Sequence, residues 1–107
     1  MEPSPLTEPV LLVLLSLAAQ PRHGYSILKD IEKMSEGRVV LSTGTLYGAL
    51  QRLLERGWIK QFQEEESSRD RRAYRLTSQG QRILQQEIER MKHLTKLARL
   101  RTTPKEA

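Results

Sequence analysis

The chain is 107 residues long, 37% hydrophobic and 29% charged, which predicts a soluble globular fold with a thin core rather than a disordered chain. It has no cysteine, which removes disulfides, thiolate metal sites and cysteine nucleophiles at once. Its net charge is +5 and the excess is concentrated: residues 69–75 carry four Arg against one Asp, and residues 90–105 carry six Lys or Arg and no acid, a distribution that favours a polyanionic partner through counterion release.

Residues 1–5 contain two prolines and read as a loose terminus. The longest apolar run, Val10 to Leu15, is far below the ~20 residues of a membrane span, and Glu2 and Glu8 stand where a signal peptide would be positive. The expected location is therefore the cytoplasm. A first helix is predicted over about residues 6–19, with Thr7 as its cap and Pro9 in the first turn, where its missing N–H costs nothing. Its body is apolar nearly all round, so one core can hide only part of it. Leu11, Leu12 and Leu15 are assigned to contact with a second subunit.

Residues 20–24 read as a turn from Pro21 and Gly24, and a second helix is predicted over about residues 25–35 with Ile27, Leu28, Ile31 and Met34 inward. Glu36, Gly37 and Arg38 break it, and Val39, Val40 and Leu41 are expected to be extended, as a short strand. The third helix spans about residues 42–56. Ser42 is its cap, Leu46, Ala49, Leu50, Leu53 and Leu54 form one buried face, and Gly57 ends it. The opposite face is unusual: Thr43, Gly44, Tyr47, Gly48 and Gln51 give small, hydroxyl and amide groups with one aromatic and no acid. A solvated helix face would mix Glu and Lys, so this one is expected to press against something polar, and a DNA major groove fits.

Two strands follow, over residues 58–64 and 71–76, with Ile59, Tyr74 and Leu76 inward and a polar turn between them. The last helix is predicted from a cap at Thr77 to about residue 101. Its stripe of Leu84, Ile88, Met91, Leu94 and Ala98 is spaced like a short coiled coil and is assigned to dimer contact. Helix, helix, helix, hairpin and long helix make a mainly α fold with a small β-hairpin. This is a winged helix-turn-helix over residues 1–76, followed by a C-terminal dimerisation helix and basic tail over residues 77–107. In that arrangement the second of the paired helices enters the major groove and the hairpin rides on the backbone.

Four motifs carry a family resemblance: His23-Gly24-Tyr25, Gly44-Thr45-Leu46-Tyr47, Leu53 through Ile59 (Leu-Leu-Glu-Arg-Gly-Trp-Ile), and Arg71 through Gly80 (Arg-Arg-Ala-Tyr-Arg-Leu-Thr-Ser-Gln-Gly). In this order and spacing, from about residue 10 to 85, the chain resembles the PadR family of bacterial transcriptional regulators. The single helix after the wing is similar to its short subfamily. The resemblance implies a homodimeric repressor on double-stranded, palindromic operator DNA, relieved by a small-molecule or stress signal, with the first and last helices forming the dimer interface. It also implies DNA contact by Tyr25, Thr45, Tyr47, Arg71 and Arg72. Gly48 departs from the Pro of many relatives and loosens the helix by about 1 kcal/mol. Ile88 and Met91 stand where the multidrug-sensing branch has a ligand-stacking aromatic, which argues against a sandwich-type drug site.

Each residue has a plainer alternative. Tyr47 lies close to the buried stripe and is either a core-edge tyrosine or a phenol for phosphate and thymine methyl. Thr43 and Thr45, with Ser42 and Gly44, either serve the helix start or bind phosphate there. Gln51 is a solvated amide or an adenine reader. Tyr25 either packs its ring or reaches DNA. Arg69, Arg71 and Arg72 either keep an edge soluble or contact the DNA backbone. His23 and His93 lie in separate elements, so no metal site is expected, and no cofactor is implied. Without a glycine-rich phosphate loop or carboxylate cluster, no catalytic constellation can be assembled. The remaining rival is a winged helix used for protein contact.

Overall fold

The computed structural model describes residues 5–63 and 72–104. In chain order the elements are α1 (Glu8–Ala19), β1 (Arg22–His23), α2 (Gly24–Met34), α3 (Thr43–Glu55), β2 (Ile59–Gln63), β3 (Arg72–Leu76) and α4 (Ser78–Thr102). The strands form one antiparallel sheet in the order β1-β3-β2. Val13, Leu14 and Leu17 of α1, Ile27 and Ile31 of α2, and Leu46, Leu50 and Leu53 of α3 meet Ile59, Tyr74 and Leu84 in a single core. Burying a side chain of this size contributes about 1.5–3 kcal/mol. The core thereby holds the three helices and the sheet in one body.

The helix ends follow from local chemistry. Thr7 Oγ1 accepts from Val10 N at 3.3 Å, so α1 starts just after Thr7 rather than at Leu6. Ser42 Oγ accepts from Thr45 N at 3.1 Å and opens α3. At its other end Trp58 N donates to Leu53 O and Gly57 N to Leu54 O, both at 3.0 Å, with Gly57 at φ +75°. This doubly bonded stop needs the left-handed conformation that glycine adopts freely.

Two expectations about the backbone are corrected. Residues 20–24 are more than a turn: Arg22 pairs with Tyr74 and His23 with Ala73, adding a third strand to the wing. Arg22 is held there by its Nε on Ser16 O at 3.1 Å and by Asp30 at 3.5 Å. Residues 39–41 join no sheet. Instead Val39 N donates to Ser35 Oγ at 2.9 Å, so the connection is tied back to the end of α2 rather than to a strand. The reversal passes through Glu36 at φ +54° and Gly37 at φ +80°.

The start of α4 is locked to the end of α3. Thr77 Oγ1 accepts from Gly80 N at 3.0 Å and donates to Gly57 O at 2.6 Å, while Thr77 N donates to Trp58 O at 3.1 Å. A Cβ on Gly80 would overlap the Trp58 carbonyl oxygen and stand 2.9 Å from its carbon, so only glycine allows this approach. Beyond this corner α4 leaves the body. Its buried residues are Gly80, Leu84 and Glu87, and every residue from 92 to 104 is exposed. The described residues extend over 68 × 33 × 21 Å.

Candidate nucleic-acid interface

The exposed face of α3 is built as its sequence pattern requires. Leu46, Ala49, Leu50 and Leu53 turn into the core, which leaves Thr43, Gly44, Thr45, Tyr47 and Gln51 on the outside. Ser42 Oγ donates to Thr45 Oγ1 at 2.9 Å while capping the helix, so these hydroxyls form one pair at the α3 N-terminus. That end carries no acidic residue in its first turn, and a Cβ on Gly44 would meet nothing within 4 Å. The N-terminus is thus open to close approach by an anionic backbone.

Beside this helix lies an open cleft of about 700 Å³, bounded by the start of α2, the outer face of α3 and the sheet. It brings together Tyr25, Tyr47, Gln51 and Arg72, four of the residues singled out from the sequence, while Ser42, Thr43, Gly44 and Thr45 stand outside it at the helix end. Tyr25 is 67% exposed, with Lys29 Nζ 5.5 Å from its ring centroid, which makes it a solvent-facing tyrosine rather than a packed one. Tyr47 is 50% exposed, part against the body and part open to the cleft. Gln51 is exposed, but its Nε2 donates to Glu55 Oε1 at 3.3 Å, so reading a base would require exchanging that bond. Arg72 opens β3 at the mouth of the cleft. Arg69 and Arg71 lie outside the described residues.

The cleft also contains residues that the sequence did not mark for function: His23, Gln61 and Tyr74. Gln61 faces Tyr74 across the β2–β3 ladder, a juxtaposition readable only once the register is known. Tyr74 is buried as expected, and burial pushes its phenol above the ordinary value, with Tyr47 adding to the shift and Arg72 opposing it. No carboxylate lines the cleft among the described residues, so its electrostatics suit a negatively charged occupant.

The surface assigned to a second subunit is laid out differently. Leu11, Leu12 and Leu15 flank the core and are half-buried, as are Ile88 and Met91, whereas Leu94 and Ala98 are exposed. Leu84, on the same stripe, is 5% exposed within the chain and packs into its own core, where α4 lies against α1. Leu97 and Leu100, outside the expected stripe, are 41% and 70% exposed. Glu87, also unmarked, accepts from Leu6 N at 3.0 Å and from Arg90 at 2.6 and 2.9 Å. The Arg90 bonds, with help from Leu6 N, hold its carboxyl below the ordinary glutamate value despite burial. Among the described residues no three His, Asp or Glu come together to hold a metal ion, and no helix is long and apolar enough to cross a membrane.

The pattern of the Transcriptional regulator PadR-like family matches residues 11–86. An uncharacterized 37.1 kDa protein in a Streptomyces fradiae transposon is 38% identical over 85 residues, which are 79% of this chain and 23% of that protein. The chain therefore spans under a quarter of that relative's length. A transcriptional regulator from Clostridium thermocellum is 28% identical with a TM-score of 0.75, the match covering 89% of this chain and 90% of that one. PadR of Bacillus subtilis, solved in complex with operator DNA, shares the fold at a TM-score of 0.69 and 19% identity, over 78% of this chain and 48% of its own.

Proposed function

This chain belongs to the PadR-like family of transcriptional regulators, and from that premise we propose that it is a sequence-specific DNA-binding repressor, working as a cytoplasmic homodimer relieved by a small-molecule or stress signal. One observation carries the reading: Tyr25, Tyr47, Gln51 and Arg72 converge on one cleft, lined by no carboxylate among the described residues, beside the open N-terminus of α3. Residues 1–76 form the DNA-binding unit, and residues 77–107 form the dimerisation helix with its basic tail. α3 lies in the major groove, where Tyr47 and Gln51 meet base edges. Ser42, Thr43, Gly44 and Thr45 take a phosphate at the helix end, and Tyr25 and the wing arginines follow the backbone. The operator complex of Bacillus subtilis PadR supports the same use of the fold here.

A winged helix used only for protein contact would have little use for the four Arg that residues 69–75 carry against one Asp. Two-fold pairing through α1 and the α4 stripe would place two α3 helices about 34 Å apart, in successive major grooves. Selection of bound sequences from a random duplex pool is the test. The expected product is a palindrome with half-sites about one helical turn apart. Recovery of no preferred sequence, together with a flat salt response, would reject the function.

A further inference from the structure

Gly24 opens α2 immediately after His23, which pairs with Ala73 in the sheet. It is buried, and its φ is not among the positive ones, so its backbone conformation is open to any residue. Alanine is the better helix former at such a position. What excludes it is space. A Cβ on Gly24 would overlap the Tyr47 hydroxyl oxygen and stand 2.8 Å from Cζ and 3.2 Å from Cε1 of the same ring. The phenol of α3 is thus lodged over the bare Cα of α2, at the edge of the cleft that both residues line.

We propose that Gly24 is a positioning residue for DNA recognition, acting through Tyr47 by leaving the space that holds its phenol against the start of α2. The inference rests on Tyr47 being a DNA contact. Tyr47 is half exposed, and its hydroxyl, Cζ and Cε1 are the atoms that lie against Gly24. The neighbouring Tyr74 phenol, raised in part by Tyr47, supports the same placement. The clash from a methyl at position 24 falls on the far end of a side chain that can swing away. Gly24→Ala therefore displaces Tyr47 instead of unfolding the protein.

The test is a double-mutant cycle of Gly24→Ala and Tyr47→Ala with two readouts. In thermal unfolding of the free protein, Gly24→Ala should lower Tm when Tyr47 is present and raise it in the Tyr47→Ala background, where the clash is gone and only helix propensity remains. The same sign in both backgrounds overturns the proposal. With a duplex recovered from the random pool, Gly24→Ala should weaken binding by about tenfold, the scale of one lost base contact, and by nothing further once Tyr47 is alanine. Additive losses, or full binding by Gly24→Ala where Tyr47→Ala binds poorly, overturn it. If Tyr47→Ala itself binds normally, the recognition role of Tyr47 fails and Gly24 loses its role with it, even where the Tm cycle shows the contact.

Discussion

The body and the far half of α4 both carry recurring leucines but hold them in opposite ways. In the body, Leu14, Ile27, Ile31 and Leu46 are fully buried and Leu50 is 1% exposed, each surrounded by neighbours from other elements. Beyond Met91 nothing in α4 is buried, although Leu94, Leu97 and Leu100 continue its apolar content. Its bonds there are local, such as Thr95 Oγ1 to Met91 O at 2.8 Å and Thr102 Oγ1 to Ala98 O at 2.7 Å. Helices shorter than about 12–15 residues are marginal alone in water, and most helical stability comes from packing an apolar face. The body supplies its own packing. The arm is expected to take it from a second copy.

The largest expected effect tests that difference directly. Met91→Glu with Leu94→Glu should convert a dimer to monomers in sedimentation while the body keeps its helical circular dichroism; persistent dimers would place the interface elsewhere. Next is the core. Leu50→Ala should cost about 2–5 kcal/mol in denaturant unfolding, whereas Leu100→Ala should stay within about 0.5 kcal/mol. Equal losses would mean that the arm is as tightly packed as the body. Smaller is the effect of Arg72→Ala. It should weaken all duplexes alike and reduce the log–log salt slope by about 0.9, the share of one phosphate, and a loss confined to one sequence would contradict a backbone role.

The smallest effect lies at the boundary between the two regions, where Glu87 ties α4 to the N-terminal segment. Its carboxyl is held low in the folded state, chiefly by Arg90. The stabilisation is therefore complete above the ordinary glutamate value and is lost as pH falls through the folded one. Denaturant midpoints followed from neutral pH down through the carboxylate range should decline more steeply in the native chain than in Glu87→Gln. Parallel curves would remove Glu87 from the acid response.

Much of this architecture was legible because its signals are local. The Ser42 cap, the 46-49-50-53 stripe and the Gly57 stop lie within a few residues of the bonds they make, and each appears in α3. β1 was not legible, since two residues hold no alternation and its partner lies about fifty residues away. Nor did periodicity separate Leu84 from Leu94: both lie on one stripe, and only the departure of α4 from the body sends one into the core and the other into solvent. Glu87 was hidden for the same reason, because its partner Leu6 N is 81 residues away. Of the candidate site, the residue types on α3 were readable from the sequence. Their grouping around one cleft with Arg72, and the seat of Tyr47 on Gly24, were not.

The corner formed by Gly57, Trp58, Thr77 and Gly80 has a mechanical consequence. It joins the end of α3, the root of the wing and the base of the arm within a few hydrogen bonds, leaving no slack for a side chain at position 80. The 25 residues of α4 make a rod of about 37 Å at 1.5 Å per residue, so a tilt of about 5° at its base carries its tip through about 3 Å. If two copies pair at the arms as proposed, that corner would act like the pivot of a pair of calipers: its stiffness would set the span between the two α3 helices, and so the operator spacing that the proposed pair would select.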